Sequence, residues 1–384
     1  MKKIIVWILG LLLLLSGCAK AEAPGQTSLD LWVTSRSRGE IYEALAEAWN
    51  AEHPEEPIQL NISVYSSQSI AGKFSRGYSV STSYSGSSIP DLVELDYAAF
   101  PEFVFQQTAD IYPLQNLLQK HGSDVSGASL YSKNGICFAL PYRGQELLLC
   151  YRLDLEQTLG NFYRKAASFE GLLELGETYA EAAGEPLLWV DYLGSEVFLA
   201  LFRQAMEQTE DAQAAYDRAV SLLTQAHGEG AWGMLPSGDA YSDNFRQLLT
   251  QKQIPCFVTT RANLQQLAEE EETIPQNYGV LALPSFGGQG CRVEAPTVAV
   301  AVHMSGGDTV SARNFLEYCR FSEAARAWPE FYLGPDAPEL PELSEIYQVK
   351  GTEKPHAAGE TLTALELEAY LASYSQQVLG AGLS

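Results

Sequence analysis

The sharpest period along this chain is two. Ile58, Leu60, Ile62 and Val64 alternate with Gln59, Asn61 and Ser63, which predicts a strand with one apolar face. Upstream, Leu29-Asp30-Leu31-Trp32-Val33 predicts another strand. Between them Ile41, Leu45, Ala48 and Trp49 recur on one face of a predicted helix, with Pro54 beyond its end. Strand, helix and strand at this spacing predict a right-handed βαβ unit. Open α/β sheets bind ligands beyond the C-terminal ends of their strands. The polar residues expected there are Thr34, Ser35 and Arg36 after the first strand, and Ser66, Ser67 and Gln68 after the second.

Ser75 to Ser88 reads as a loop, and residues 89–96 as a third strand that ends at Asp96 and Tyr97. Farther on, two apolar runs, Ile136 to Leu140 and Leu147 to Tyr151, flank the polar centre Tyr142-Arg143-Gly144-Gln145. The first run stops at Pro141, which cannot donate to a sheet ladder and suits a strand end. Two readings fit. One is a hairpin inside a single domain. The other is the last strand of one lobe, a crossing, and the first strand of a second lobe. In the second reading Tyr142 and Arg143 lie between lobes, where ligand sites are common.

After Asp154 the pattern turns helical. Ser168 predicts an N-cap before Leu172, Leu173 and Leu175, and Ala212 to Ala226 predicts an amphipathic helix. A short strand-like run carries Trp189 and Asp191. The glycines around Trp232 suggest a loop with an exposed indole. The apolar run from Ile254 ends at Arg261. Glu269 to Glu272 reads as a solvated helix end. Tyr278 to Leu283 and residues 296–302 predict strands, and Ala312 to Tyr318 a helix. A Pro-rich turn, Pro335 to Pro341, and a helix from Leu362 to Leu379 close the chain.

A length of 384 residues favours two domains, and 46% apolar with 19% charged residues is a soluble globular composition. The formal charge of −24 argues against a nucleic-acid partner, which requires clustered Lys and Arg. Met1-Lys2-Lys3 is a basic start, and the apolar run from Ile4 to Leu15 is short for a membrane span. The following Leu15-Ser16-Gly17-Cys18 resembles a bacterial lipobox, which implies a lipid on Cys18. With Cys18 set aside, Cys137, Cys150, Cys256, Cys291 and Cys319 remain, so at least one is unpaired. They lie in apolar runs and read as buried free thiols.

Phosphate-loop, dinucleotide and nucleophile-elbow motifs are absent, and the five histidines are scattered, so no metal or cofactor is expected. A two-carboxylate pair for glycoside hydrolysis does not stand out. Aromatic faces suit sugar rings. Trp32, Trp49 and Trp328 read as core residues, which leaves Trp189 and Trp232 as cleft candidates.

Four segments keep a shared order: Pro90-Asp91-Leu92-Val93, Ala109 to Leu114, Phe138-Ala139-Leu140-Pro141-Tyr142 before Leu149-Cys150-Tyr151-Arg152, and Tyr278 to Pro284 before residues 296–302. Together they resemble the extracellular solute-binding proteins of ABC importers, in the sugar- and oligosaccharide-binding group that includes maltose-binding protein. The chain departs from that family at Tyr151-Arg152-Leu153, where Tyr-Asn-Lys is usual, and at residues 251–253, which lack its turn glycine.

The resemblance implies an α/β, two-lobe periplasmic-binding-protein-like fold of class II type. A leader (1–17) and tether (18–28) precede an N-terminal lobe of 29–142 and 300–335 and a C-terminal lobe of 143–299 and 336–384. A second crossing is expected near Val298 to Val302. The ligand contacts expected, from loop positions after predicted strands and from the crossing, are Thr34, Ser35, Arg36, Ser66, Ser67, Gln68, Asp96, Tyr97, Tyr142, Arg143, Trp189, Asp191, Trp232 and Arg261, with no catalytic residue. The implied partners are a small solute (a carbohydrate, with a polyamine as alternative), ABC permease subunits, and the membrane through Cys18. The protein itself is expected to be a monomer. A surface carbohydrate-active enzyme and a sensory binding lipoprotein are the rival readings.

Overall fold

Among the described residues two large sheets and one two-stranded hairpin form, and the chain passes between the large sheets three times. The computed structural model describes residues 25–65, 69–70, 90–96, 111–122, 131–144, 146–190, 195–209, 211–234, 243–294, 298–303, 308–350, 356–357, 370 and 373–374. The leader with Cys18, the loop 75–88 and most of the expected helix 362–379 lie outside them.

The first lobe opens with β1 (Thr27–Val33), α1 (Arg36–Glu52) and β2 (Ile58–Val64). β1 and β2 pair in parallel from Thr27↔Ile58 to Val33↔Val64, as a βαβ unit requires. β3 (Leu92–Asp96), α2 (Gln115–His121), β4 (Ser132–Lys133), β5 (Ile136–Cys137) and β6 (Ala139–Pro141) follow. The expected single strand 136–140 is therefore split. Asn134 and Gly135, with φ of 53° and 74°, make a two-residue turn between β4 and β5. An Asn-Gly pair takes this left-handed geometry readily and is a strong hairpin signal.

The second lobe holds β7 (Glu146–Arg152), α3 (Phe162–Lys165), α4 (Phe169–Ala183), β8 (Leu188–Val190), α5 (Ser195–Met206), α6 (Ala212–Gly228) and β9 (Trp232–Met234). It continues with α7 (Asp243–Thr250), β10 (Cys256–Thr260), α8 (Arg261–Glu270), α9 (Thr273–Asn277), β11 (Tyr278–Ala282) and β12 (Cys291–Glu294). The Ser168 hydroxyl caps α4 by accepting from the Gly171 N–H. The turn before β10 keeps a left-handed residue at Lys252, with φ of 57°.

The chain then returns as β13 (Val298–Val302) and α10 (Thr309–Phe321), and ends in the second sheet with β14 (Gln348–Val349) and β15 (His356–Ala357). The strand orders are β2-β1-β3-β13-β6 and β14-β11-β7-β10-β8-β9, with β12 alongside β7 and β15 alongside β12. The second crossing differs from expectation. Val298 to Val302 is not the crossing itself: β13 lies wholly inside the first sheet, antiparallel to β3 and β6. A third crossing, through the Pro-rich residues 334–342, joins Leu333 of the first lobe to Leu343 of the second.

One apolar cluster fills the helix side of the first sheet, where Tyr42, Leu45, Trp49 and Phe315 meet Leu31, Leu92 and Val300. Another backs the second sheet through Phe245, Phe257, Leu264 and Tyr278. The third and largest runs along the remaining faces of both. All five described cysteines are buried and free.

Candidate functional site between the lobes

The polar residues at the ends of β1, β3 and β6 do not all face a ligand. Thr34, directly after β1, donates to the Glu94 carboxylate through its N–H at 2.5 Å and its hydroxyl at 2.6 Å. Arg38 of α1 donates to the same carboxylate at 3.2 Å and to the Thr34 hydroxyl at 2.7 Å. The Tyr142 hydroxyl donates to the other Glu94 oxygen. Tyr42 lies 2.9 Å behind Tyr142, and Arg320 of α10 reaches Tyr42 at 3.5 Å. The guanidiniums of Arg320 and Arg38 lie over the Tyr142 ring, 4.1 and 4.8 Å from its centroid. All six side chains are buried.

Such a cluster is tolerated only where its lone pairs and protons are matched. Here one carboxylate takes donors from three residues. Burial, with Glu94 and Tyr42 beside it, pushes the Tyr142 hydroxyl well above 10 although both guanidiniums oppose the shift, so it remains a neutral donor. The network therefore locks the end of β6 at the first crossing. Thr34 and Tyr142 spend their polar atoms inside it and offer none to a ligand. Glu94 was missed by the sequence reading; its signal is a lone carboxylate within Leu92-Val93-Glu94-Leu95.

In front of the network a cleft of about 400 Å³ opens between the lobes. Its first-lobe wall is the start of α1, with Ser35, Arg36, Ser37 and Glu40. Ser35 caps α1 by accepting from the Arg38 N–H, which fixes where the neighbouring side chains point. Arg36 is exposed and pairs with Glu40 at 3.1 Å. The opposite wall comes from α7 and α8, with Arg246, Asn263, Gln266 and Glu270. Thr260 caps α8 through the Asn263 N–H, and the Asn263 amide donates to Thr259 at 2.8 Å. Arg246 pairs with Glu270. The walls thus present hydroxyls, amides, two Arg–Glu pairs and the further carboxylate of Glu271, the donors and acceptors that a polyhydroxylated solute requires.

Four expected contacts sit elsewhere. Trp232 is not exposed: it is 3% accessible, forms β9, and its indole N–H donates to the Leu223 carbonyl, so it belongs to the core. Arg143 donates to the carbonyls of Pro329 at 3.1 Å and Pro338 at 2.7 Å. Arg261, at the head of α8, donates to the Pro341 carbonyl at 2.7 Å and lies 3.9 Å from Glu146. Trp189 is half-buried against the second lobe's outer cluster. Ser66, Ser67, Gln68, Tyr97 and Asp191 lie outside the described residues, as does the Asp96 side chain.

The chain is 21% identical over 357 residues to the arabinooligosaccharide-binding protein of Halalkalibacterium halodurans, covering 86% of this chain and 77% of that relative. A solute-binding protein of an ABC transporter from Thermotoga lettingae, solved with α-D-tagatose, superposes with a TM-score of 0.64 at 14% identity, over 92% of this chain and 95% of the other. The fold is that of the ABC-importer solute-binding proteins. The GacH receptor of Streptomyces glaucescens, solved unliganded and with acarbose, has the same solute-binding fold, with a TM-score of 0.60 at 16% identity over 92% and 94% of the two chains. No protein-family model matches the chain.

Proposed function

We propose that this chain is an extracytoplasmic solute-binding protein, anchored by a lipid on Cys18, that captures a sugar or oligosaccharide between its lobes and delivers it to an ABC permease. The lobes would be residues 29–142 with 300–335, and 143–299 with 336–384. The observation that carries the reading is the polar cleft between two sheets joined by crossings, in a fold shared almost end to end with sugar-binding relatives. Ser35, Arg36 and the facing Asn263 and Gln266 would touch the ligand, joined by Ser66, Ser67, Gln68, Asp96, Tyr97 and Asp191. No chemistry is required: affinity for the closed form drives closure.

The test is a thermal-shift titration of the protein from Ala19 onward against arabino-oligosaccharides, maltodextrins and polyamines. Ligands that bind only the native state raise Tm by mass action. A saturable shift with one oligosaccharide, recovered intact, supports the reading. Release of shorter sugars points to a hydrolase, and a shift confined to polyamines overturns the sugar class. Replacing Cys18 by Ala should move the protein from membranes to the medium.

A further inference from the structure

The Pro-rich third crossing is fastened from both lobes. Upstream, Arg143 ties it to the first lobe's side: its guanidinium bridges the Pro338 carbonyl of the crossing and the Pro329 carbonyl, and its N–H donates to the Glu330 carbonyl at 2.8 Å. Downstream, Arg261 and Gln265 of α8 both donate to the Pro341 carbonyl, at 2.7 and 2.9 Å. Only Glu339 and Leu340 lie between the last residue held by Arg143 and the first held by α8. Leu340 lies beside Gly144, whose φ of 75° disfavours any side chain and where an added Cβ would meet Leu340 Cδ1 at 3.3 Å, and the Gly144 carbonyl accepts from the Ala262 N–H. The first and third crossings are thereby bound to each other at the head of α8.

We infer that Arg143 is a hinge-positioning residue: by pinning Pro338 it shortens the free link of the third crossing and limits how far the lobes swing apart. Three peptide steps from Pro338 to Pro341 span at most about 11 Å. Prolines at 335, 338 and 341 stiffen the link further by fixing φ. Without the Arg143 guanidinium, the next hold upstream is Ala337, which packs against the first lobe's cluster and donates its N–H to the Gly334 carbonyl at 3.1 Å, beside Asp336, gripped by Arg326 and by the Tyr332 hydroxyl at 2.9 Å. The free link then has four steps and spans about 14 Å. Only release of the whole turn 334–337 would leave Leu333, whose N–H donates to the Arg320 carbonyl at 2.8 Å, as the anchor, with a span of about 29 Å. Arg143 acts through the strap and touches no ligand in this role.

The test needs no ligand, so its failure leaves the sugar reading untouched. Spin labels on Glu47→Cys of α1 and Glu181→Cys of α4 report the distance between lobes in the full chain carrying Cys18→Ser, in detergent. The five described native thiols are buried, which keeps the label on the introduced pair. The inter-label distribution should widen about 1.3-fold for Arg143→Met, in proportion to the longer link, and by no less for Arg143→Met with Asp336→Asn. Arg143→Lys, which keeps one charged donor, should fall between wild type and Arg143→Met. A folded Arg143→Met protein with the wild-type distribution overturns the inference. If that variant does not fold, inserting Gly-Gly after Glu339 lengthens the link with the Arg143 bonds left in place, and an unchanged distribution there overturns it equally.

Discussion

Replacing Glu94 by Gln tests whether the buried network is held by charge or merely by shape. The side chain is fully buried and accepts from Thr34, Arg38 and Tyr142. Gln has the same size and keeps one oxygen for the Thr34 N–H and hydroxyl. Its amide end is a donor facing the Tyr142 hydroxyl, which must then turn around and lose Tyr42 as its own donor. Arg38 and Arg320 also lose their nearby anion. Hydrogen bonds to charged groups contribute about 1.5–3 kcal/mol each, so Glu94→Gln should cost about 3 kcal/mol. Glu94→Leu, which strands a buried guanidinium, should cost about 3–5 kcal/mol. Tyr142→Phe alone should cost about 2 kcal/mol, and clearly less when combined with Glu94→Gln, because the two changes break one shared bond. Urea unfolding followed by tryptophan fluorescence measures all four variants, with Trp32 and Trp49 reporting on the first lobe. A Glu94→Gln midpoint within about 0.5 kcal/mol of wild type, or strict additivity with Tyr142→Phe, would refute the charge-held network.

Three further outcomes are expected. Lys252→Gly should stabilise the protein by about 0.5–1 kcal/mol in a thermal melt, since a left-handed lysine gives way to the residue that tolerates this conformation. Asp308→Ala should cost about 1 kcal/mol, because the carboxylate caps α10 through the Ser311 N–H at 3.0 Å. That bond holds the Asp308 carboxyl below its usual range, so its contribution is present above about pH 4 and is lost as the pH falls through the lowered value; an Asp308→Asn variant should lack this acid-dependent loss. Trp232→Phe should cost about 1–2 kcal/mol through its lost bond to Leu223 while leaving sugar affinity unchanged in calorimetry; weaker binding at unchanged stability would return it to the cleft.

Periodicity carried the framework well. The alternation at 58–64 and the helical face at 41–49 became β2 and α1, and Ser168 became an N-cap. At Tyr142 a hairpin and a crossing looked alike, because local pattern does not say which partner a strand finds; pairing of β6 with β13, and of β7 with β10 and β11, decides for the crossing. Glycine misled the reading of Trp232. A Cβ on Gly233 would meet Pro186 at 2.7 Å, so that glycine permits close packing rather than a loose loop. Arg143 was legible as a polar residue at a crossing and Arg261 as the polar end of an apolar run, but their acceptors are backbone carbonyls nearly 200 and 80 residues away, which no local pattern reports. Glu94 was hidden for the same reason, since its value lies in donors brought by α1 and by the end of β6.

The place of β13 in the first sheet bears on how the molecule assembles. It stands between β3 and β6, and it is made only after the whole of residues 146–294. At about 5–20 residues per second, on the order of tens of seconds of synthesis separate β3 from the strand that covers its edge. The second lobe's β7 to β12 form one uninterrupted stretch and can pair during that wait, with β14 and β15 to follow, whereas β3 and β6 of the first lobe lack the strand between them until β13 is made. The first lobe's sheet is thus the one whose centre depends on a strand made after the body of the other lobe. During that interval β3 and β6 are exposed to chaperones, to proteases and to neighbouring chains alike.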